Sequence, residues 1–370
     1  MQALVKFAPG VGGLELRELP DPSPGPGEIV FEVAATGVCG TDLHIQDGEY
    51  SVVPPVVIGH ETAGTVTAIG AGVSGVRPGD RVTSLTTIST CGRCEYCVAG
   101  LTNLCPDRRY LGGHVNGGFA RYVVVPEGNV LRLPDHVSHR AAALTEPLAC
   151  CTHGILEVAL PAILPAALPP GAERTRPLRQ EAAPVIAFAR GTTVVVSGPG
   201  PIGLLCAQVA RAAGAEVLVL GTSADTPRFA LARQVGLERL IDVQAQDPVA
   251  AVQEWTSGRG PDLVVEAAGA AGSLDQCLRL SRRRGVILQI GLYGQPVAAP
   301  VDLLVLKELR LLGSFSSTPA AWSIALDFLA SGKVLTEPLV TSTRPLEQWA
   351  EAFRAARHKV EGKILLTPAG

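Results

Sequence analysis

Thr193-Val194-Val195-Val196-Ser197-Gly198-Pro199-Gly200-Pro201-Ile202-Gly203 is the stretch that decides the fold. Its apolar run Thr193–Val196 reads as a continuous strand, and the strand ends on a G-x-G-x-x-G at Gly198, Gly200 and Gly203. Ile202, Leu205, Val209 and Ala212 then recur at helical spacing as far as Gly214. A glycine turn between a strand and a helix lets the backbone approach a pyrophosphate, while the helix N-terminus offers unpaired N–H groups and the positive end of its dipole. Gly198, Gly200, Pro201, Ile202 and Gly203 are therefore candidate dinucleotide-binding residues. Downstream, strands are predicted at Glu216–Leu220, Leu240–Val243, Asp262–Ala267 and Gly285–Ile290, with a helix opened by Thr226-Pro227 and stopped at Gly236. Strands alternating with helices predict a doubly wound parallel sheet.

On the N-terminal side the texture differs. Gly and Pro punctuate the first 150 residues, leaving short β-type stretches such as Ile29–Ala34, Thr65–Ile69, Arg81–Ser84 and Tyr122–Val125. This predicts an all-β, barrel-like domain. Past Gly313, Thr318 reads as an N-cap with Pro319 at the first helical position, followed by Trp322, Leu326 and Leu329 on one face. The final apolar run Lys363–Thr367 stands apart from the α/β region and is expected to return to the β domain. Between Leu160 and Arg190, prolines at 161, 165, 169, 170, 177 and 184 predict a loop or ordered linker.

Composition narrows the function classes. The chain has 370 residues, 47% hydrophobic and 18% charged, enough for two domains with separate cores. A formal charge of −3 with scattered basic residues disfavours nucleic acid as a partner. No apolar run approaches the roughly 20 residues of a membrane span, and the N-terminus lacks a secretion pattern, so a cytoplasmic location is expected.

Two metal-type patterns stand in the β region. Cys91, Cys94, Cys97 and Cys105 form C-x2-C-x2-C-x7-C, and four thiolates in tetrahedral array would saturate a structural zinc, although thiolates alone also suit an iron–sulfur cluster. The second constellation is distributed over Gly37-Val38-Cys39-Gly40-Thr41-Asp42-Leu43-His44, Gly59-His60-Glu61 and Glu146-Pro147-Leu148-Ala149. It offers a thiolate, an imidazole and two carboxylates, and three protein ligands with an exchangeable oxygen is the pattern of a catalytic zinc.

The carboxylate expected to hold the adenosine ribose is missing after the second strand, where the chain reads Leu220-Gly221-Thr222-Ser223-Ala224-Asp225. Ser223 and Arg228 could instead receive a 2′-phosphate, which leaves NAD or NADP open and leans toward NADP on the strength of an absence.

GVCGTDLH, GHETAGTV, CGRCEYC, GGFARYVVVP, EPLACCTHG and VSGPGPIGLL together resemble the zinc-dependent medium-chain alcohol dehydrogenase superfamily, in its polyol (sorbitol, L-iditol) and threonine dehydrogenase branch. The resemblance runs over nearly the whole chain except 160–190. It implies an α/β plus β architecture: a GroES-like β-barrel catalytic domain over 1–150 and 318–370, and a Rossmann dinucleotide-binding domain over 151–317 carrying a proline-rich insertion. It also implies a catalytic zinc on Cys39, His60 and Glu61, with Glu146 bound directly or through water, and Thr41 and His44 as a proton relay. Ala268, Gly269, Gly291, Leu292, Phe315 and Ser316 would add cofactor contacts, and Tyr50, Arg109, Tyr110, His114 and Leu292 are candidates to line the substrate pocket.

The implied reaction is hydride transfer between a secondary alcohol (polyol, sugar alcohol or amino alcohol) and NAD or NADP, in a homodimer or homotetramer acting on a small-molecule alcohol or ketone. Cys39, His60, Glu61 and the four-cysteine lobe speak against a zinc-free quinone or enone reductase of the same superfamily. Neutral charge and few aromatics disfavour a zinc-ribbon module that binds nucleic acid.

Overall fold

The computed structural model describes residues 1–163, 187–358 and 361–368; most of the proline-rich stretch, 164–186, lies outside the described residues. Contacts divide the chain into two compact units, Met1–Cys150 with Ala224–Val235 and Phe315–Gly370, and Cys151–Ser223 with Gly236–Ser314.

The first unit is built on a seven-stranded sheet. Its long strand Glu28–Gly37 pairs antiparallel with Glu61–Ile69, with Tyr122–Pro126 and with Lys363–Thr367. The last of these also runs parallel to Val340–Pro345. Alternating apolar residues bury Ile29, Phe31 and Val33 against Val66, Val82, Val123 and Val125. A second cluster packs Leu4, Ile45 and Phe119 against Phe353, Ile364 and Leu366, tying the chain's last strand to its first residues. Helix Thr226–Gln234 joins this unit, with Arg228 Nε and Nη2 donating to the Glu361 carbonyl at 3.2 and 3.0 Å.

The second unit carries a six-stranded sheet in the order Leu240–Asp242, Glu216–Gly221, Thr193–Ser197, Leu263–Glu266, Val286–Gln289, Arg310–Gly313, with every pairing parallel. This is the doubly wound arrangement expected from the strand–helix alternation. Val194, Val195 and Val196 are wholly buried, which explains the apolar centre of the strand Thr193–Ser197. Helix Pro201–Ala212 follows directly, with Pro201 in its first turn and Gly200 as an N-cap that supplies no side-chain hydrogen bond.

Candidate active site and metal centres

Cys39 stands at the N-cap of the short helix Gly40–Gln46, where its N–H donates to Asp42 Oδ2 at 2.8 Å. His60 and Glu61 arrive from the start of the paired strand Glu61–Ile69. The Cys39 sulfur, a His60 ring nitrogen and a Glu61 carboxylate oxygen all lie within 4.8 Å of one another. A soft thiolate, an imidazole and a carboxylate at that separation form a donor set suited to zinc, so the residues fit the metal that the sequence implies. Buried Asp42 stands beside the group; its Oδ1 lies 3.7 Å from His60 Nδ1 and has no hydrogen-bond partner among the described residues. Burial raises the Asp42 carboxyl to about 6, against the opposing pull of His60 and the Cys39 N–H. Burial opposes charge on His60, yet its hydrogen bond with Cys39 and the nearby Asp42 carboxylate outweigh that and lift its pKa well above the ordinary imidazole value.

Glu61 is wholly buried, and both of its oxygens accept hydrogen bonds from Lys363 Nζ, at 2.6 and 2.8 Å. Lys363 also donates to the Val38 carbonyl at 3.1 Å. This ion pair was absent from the sequence reading; its one signal is a lysine opening the apolar strand KILLT. Glu146, on helix Thr145–Thr152, does not join the three-residue group, but it lies close enough to feel His60 and Glu61. Burial raises its pKa, and its Oε1 takes a long hydrogen bond from Cys150 Sγ at 3.5 Å.

Thr41 Oγ1 lies 3.6 Å from the Cys39 sulfur, and His44, three residues further along the same helix, places Nδ1 2.6 Å from Glu49 Oε2. Tyr50 and His114 both meet Tyr110 edge-on, at centroid distances of 6.1 and 4.8 Å. Tyr110 itself is buried, and its hydroxyl donates to the Ser51 carbonyl at 3.1 Å, which makes it a prop for the other two rings. Arg109 is exposed, with Nη2 on the His114 carbonyl.

The four lobe cysteines also converge, and all are free thiols. Cys91 Sγ lies 3.9 Å from Cys97 Sγ and 3.7 Å from Cys105 Sγ. Tetrahedral zinc with bonds of about 2.3 Å needs sulfurs roughly 3.8 Å apart. An iron–sulfur cluster interposes several atoms and needs a wider cage, so the spacing favours the single ion. Backbone N–H groups of Cys91, Cys94 and Cys97 point at cysteine sulfurs at 3.4–3.5 Å, as thiolates require. Cys94→Ser is expected to remove one zinc per chain and lower Tm by on the order of 5–10 °C, read by elemental analysis and calorimetry. An unchanged metal content would refute the assignment.

In the second unit the phosphate-loop glycines divide their tasks. A Cβ at Gly198, whose φ is +102°, would lie 2.7 Å from Ala268 backbone atoms, and one at Gly203 would collide with the Gly198 carbonyl. A Cβ at Gly200 would meet nothing within 4 Å, so that position opens onto space a phosphate can enter. Ala268 and Gly269 line the next strand end, where their N–H groups each donate to Glu266 Oε1 at 3.0 Å. Gly291 donates to the Glu266 carbonyl at 2.9 Å, and Leu292 beside it is exposed. Glu266 is wholly buried and also accepts from Ser273 Oγ and Gln289 Nε2, both at 2.6 Å. Sequence reading named the loops and missed this carboxylate that ties them, although it is the one acidic side chain within Leu263–Gly269. Phe315 and Ser316 belong to the first unit, where the Phe315 carbonyl accepts from Asn103 Nδ2 at 2.8 Å and Ser316 Oγ from Arg108 Nη2 at 3.0 Å.

Two family profiles match the chain: an alcohol dehydrogenase GroES-like domain over residues 25–135 and a zinc-binding dehydrogenase domain over 201–331. A sorbitol dehydrogenase of Halalkalibacterium halodurans is 39% identical over all of this chain and 99% of its own length. The chain belongs to the zinc-dependent medium-chain alcohol dehydrogenase family. A D-arabitol-phosphate dehydrogenase of Enterococcus avium is 35% identical over 99% of this chain and 97% of its own. The crystal structure of a zinc-binding dehydrogenase from Sinorhizobium meliloti, bound to NADP, superposes with a TM-score of 0.83 at 31% identity and 99% coverage of each chain. This medium-chain dehydrogenase is accordingly a zinc- and NAD(P)-dependent oxidoreductase acting on small-molecule alcohols, with a GroES-like domain and a Rossmann-type sheet.

Proposed function

We propose that the enzyme oxidises a polyol or related secondary alcohol at a zinc held by Cys39, His60 and Glu61, with Glu146 completing the donor set directly or through water. Mutual approach of the first three donors within 4.8 Å carries this assignment. When bound, the zinc supplies the Lewis acidity that lets an alcohol ionise near neutral pH. Asp42 sets a carboxylate beside the His60 ring, and Lys363 pairs with Glu61. Thr41 touches the alcohol oxygen and relays its proton by giving up its own as it takes the new one, and His44, partly exposed and held by Glu49, passes a proton on to solvent. Gly198, Gly200, Pro201, Ile202 and Gly203 hold the dinucleotide pyrophosphate, with Ala268, Gly269, Gly291 and Leu292 toward its nicotinamide half. Polyol dehydrogenases among the relatives support the substrate class, and Tyr50, Arg109 and His114 offer polar groups for its further hydroxyls.

The domain division 1–150 with 318–370 and 151–317 accompanies this assignment, as does a cytoplasmic location, which nine cysteines without a disulfide among the described residues support. Among the described residues, no helix is long and apolar enough to cross a membrane. The enzyme acts as a homodimer or homotetramer: Arg310–Gly313 is an edge strand, and Val301, Val305, Leu306 and Leu311 expose apolar surface on or just before it.

Elemental analysis of wild type beside Cys39→Ser, with nicotinamide reduction on polyols, amino alcohols and secondary alcohols, tests the assignment. Two zincs per chain are expected in wild type and one in the variant, whose turnover should fall at least about 1,000-fold through loss of the metal's charge stabilisation. Unchanged metal and turnover would replace it with the zinc-free reductase.

A further inference from the structure

In a doubly wound sheet the adenosine ribose meets the C-terminal end of the second strand, where a carboxylate accepts from the 2′-hydroxyl. Here that strand, Glu216–Gly221, ends without one. The neighbouring strand supplies it. Asp242, the last residue of Leu240–Asp242, is the register partner of Gly221. Its Oδ2 accepts from Ser223 Oγ at 2.5 Å, and its Oδ1 accepts from the Gln244 N–H at 2.9 Å. Gln244 Oε1 accepts in turn from the Ser223 N–H at 3.2 Å, so the carboxylate and the loop after the second strand form one hydrogen-bonded unit. The Ser223 hydroxyl and then the Gln244 N–H hold the Asp242 pKa below the usual carboxylate value, so it is anionic at neutral pH.

Arg228, the cation that a 2′-phosphate would need, is engaged within the other unit. Its Nε and Nη2 donate to the Glu361 carbonyl, and its Nη1 lies 3.4 Å from Asp225 Oδ1. A phosphate carries a charge of about −1.5 to −2 at neutral pH, and beside Asp242 it would meet a like charge. A ribose diol would meet an acceptor.

We propose that Asp242 is the specificity-determining residue of the cofactor site, delivered from the third strand to the place a second-strand acid usually fills, and that it selects NAD over NADP. The proposal rests on the nicotinamide-dependent reading above. Fluorescence titration of the zinc-loaded enzyme with NADH and with NADPH tests it without relying on turnover. Wild type is expected to bind NADH at least tenfold more tightly than NADPH. Asp242→Asn, which keeps the shape and an acceptor but removes the charge, should tighten NADPH at least fivefold and leave NADH within about threefold. Asp242→Ser should move the ratio in the same direction. Preference of wild type for NADPH overturns the proposal, as does an equal shift for both nucleotides, which a merely structural role would produce. Failure to bind either nucleotide would remove the dehydrogenase reading itself, an outcome distinct from a reversed ratio.

Discussion

Lys363→Met should lower the unfolding free energy by about 3–5 kcal/mol and strip the catalytic zinc from the purified enzyme. In the zinc-free protein the variant leaves Glu61 wholly buried with both hydrogen bonds from Lys363 gone, close to Cys39 and Glu146. Truncating one partner of a buried pair costs far more than the pair itself is worth, because the remaining ion is cut off from water and has lost its hydrogen-bonded counter-charge. Against a typical total of about 5–15 kcal/mol, that is a large fraction of the stability. Lys363→Arg keeps the charge and should recover most of the loss in Tm, whereas Met fills similar volume with none of it. Urea denaturation with metal analysis on the same samples measures both effects. A Met variant within about 1 kcal/mol of wild type would show that the Lys363 pairing does not stabilise the buried Glu61.

Glu266→Ala should be nearly as damaging, and through cofactor binding rather than the metal. Four donors point at this carboxylate: the N–H groups of Ala268 and Gly269, the Ser273 hydroxyl and the Gln289 amide. They replace the water that a buried anion would otherwise lack. Removing the acceptor strands all four, at about 1–3 kcal/mol for each donor that finds no substitute. The loops holding Ala268, Gly269 and Gly291 would then reorganise, and nucleotide affinity should fall at least about tenfold, or 1.4 kcal/mol. Glu266→Gln is the gentler form: it preserves shape but turns an amide N–H toward groups that are themselves donors. NADH titration and thermal unfolding of both variants check the point. Affinity of the Gln variant within twofold of wild type would show that the loops hold their shape without the charge.

The sheet of the second unit was legible because three independent signals coincide around Thr193–Ala212: an apolar strand, a glycine turn and helical spacing. The cysteine lobe was legible because its donors fall within fifteen residues, so spacing alone limits geometry. Partnerships across long sequence separations were not. Lys363 lies 302 residues from Glu61, and Gln289 lies 23 from Glu266, so neither pairing leaves a local pattern. Asp242 was overlooked for a related reason. It comes to the cofactor edge by strand register, whereas the motif looks for an acid on the second strand. Helix Thr226–Gln234 continues the strand–helix alternation in sequence, and nothing local reveals that it gathers with the first unit.

The distance between Glu61 and Lys363 also bears on how the enzyme is made. A ribosome adding about 5–20 residues per second needs roughly 15–60 s to travel the 302 positions between them. Throughout that interval the nascent chain already holds Cys39, His60 and Glu61 but not the ammonium that neutralises the carboxylate. Glu61 must stay hydrated until the strand Lys363–Thr367 docks against Glu28–Gly37. Closing the sheet and dehydrating the site are therefore one late event, and until then the three donors stand open to whatever metal the translating cell presents.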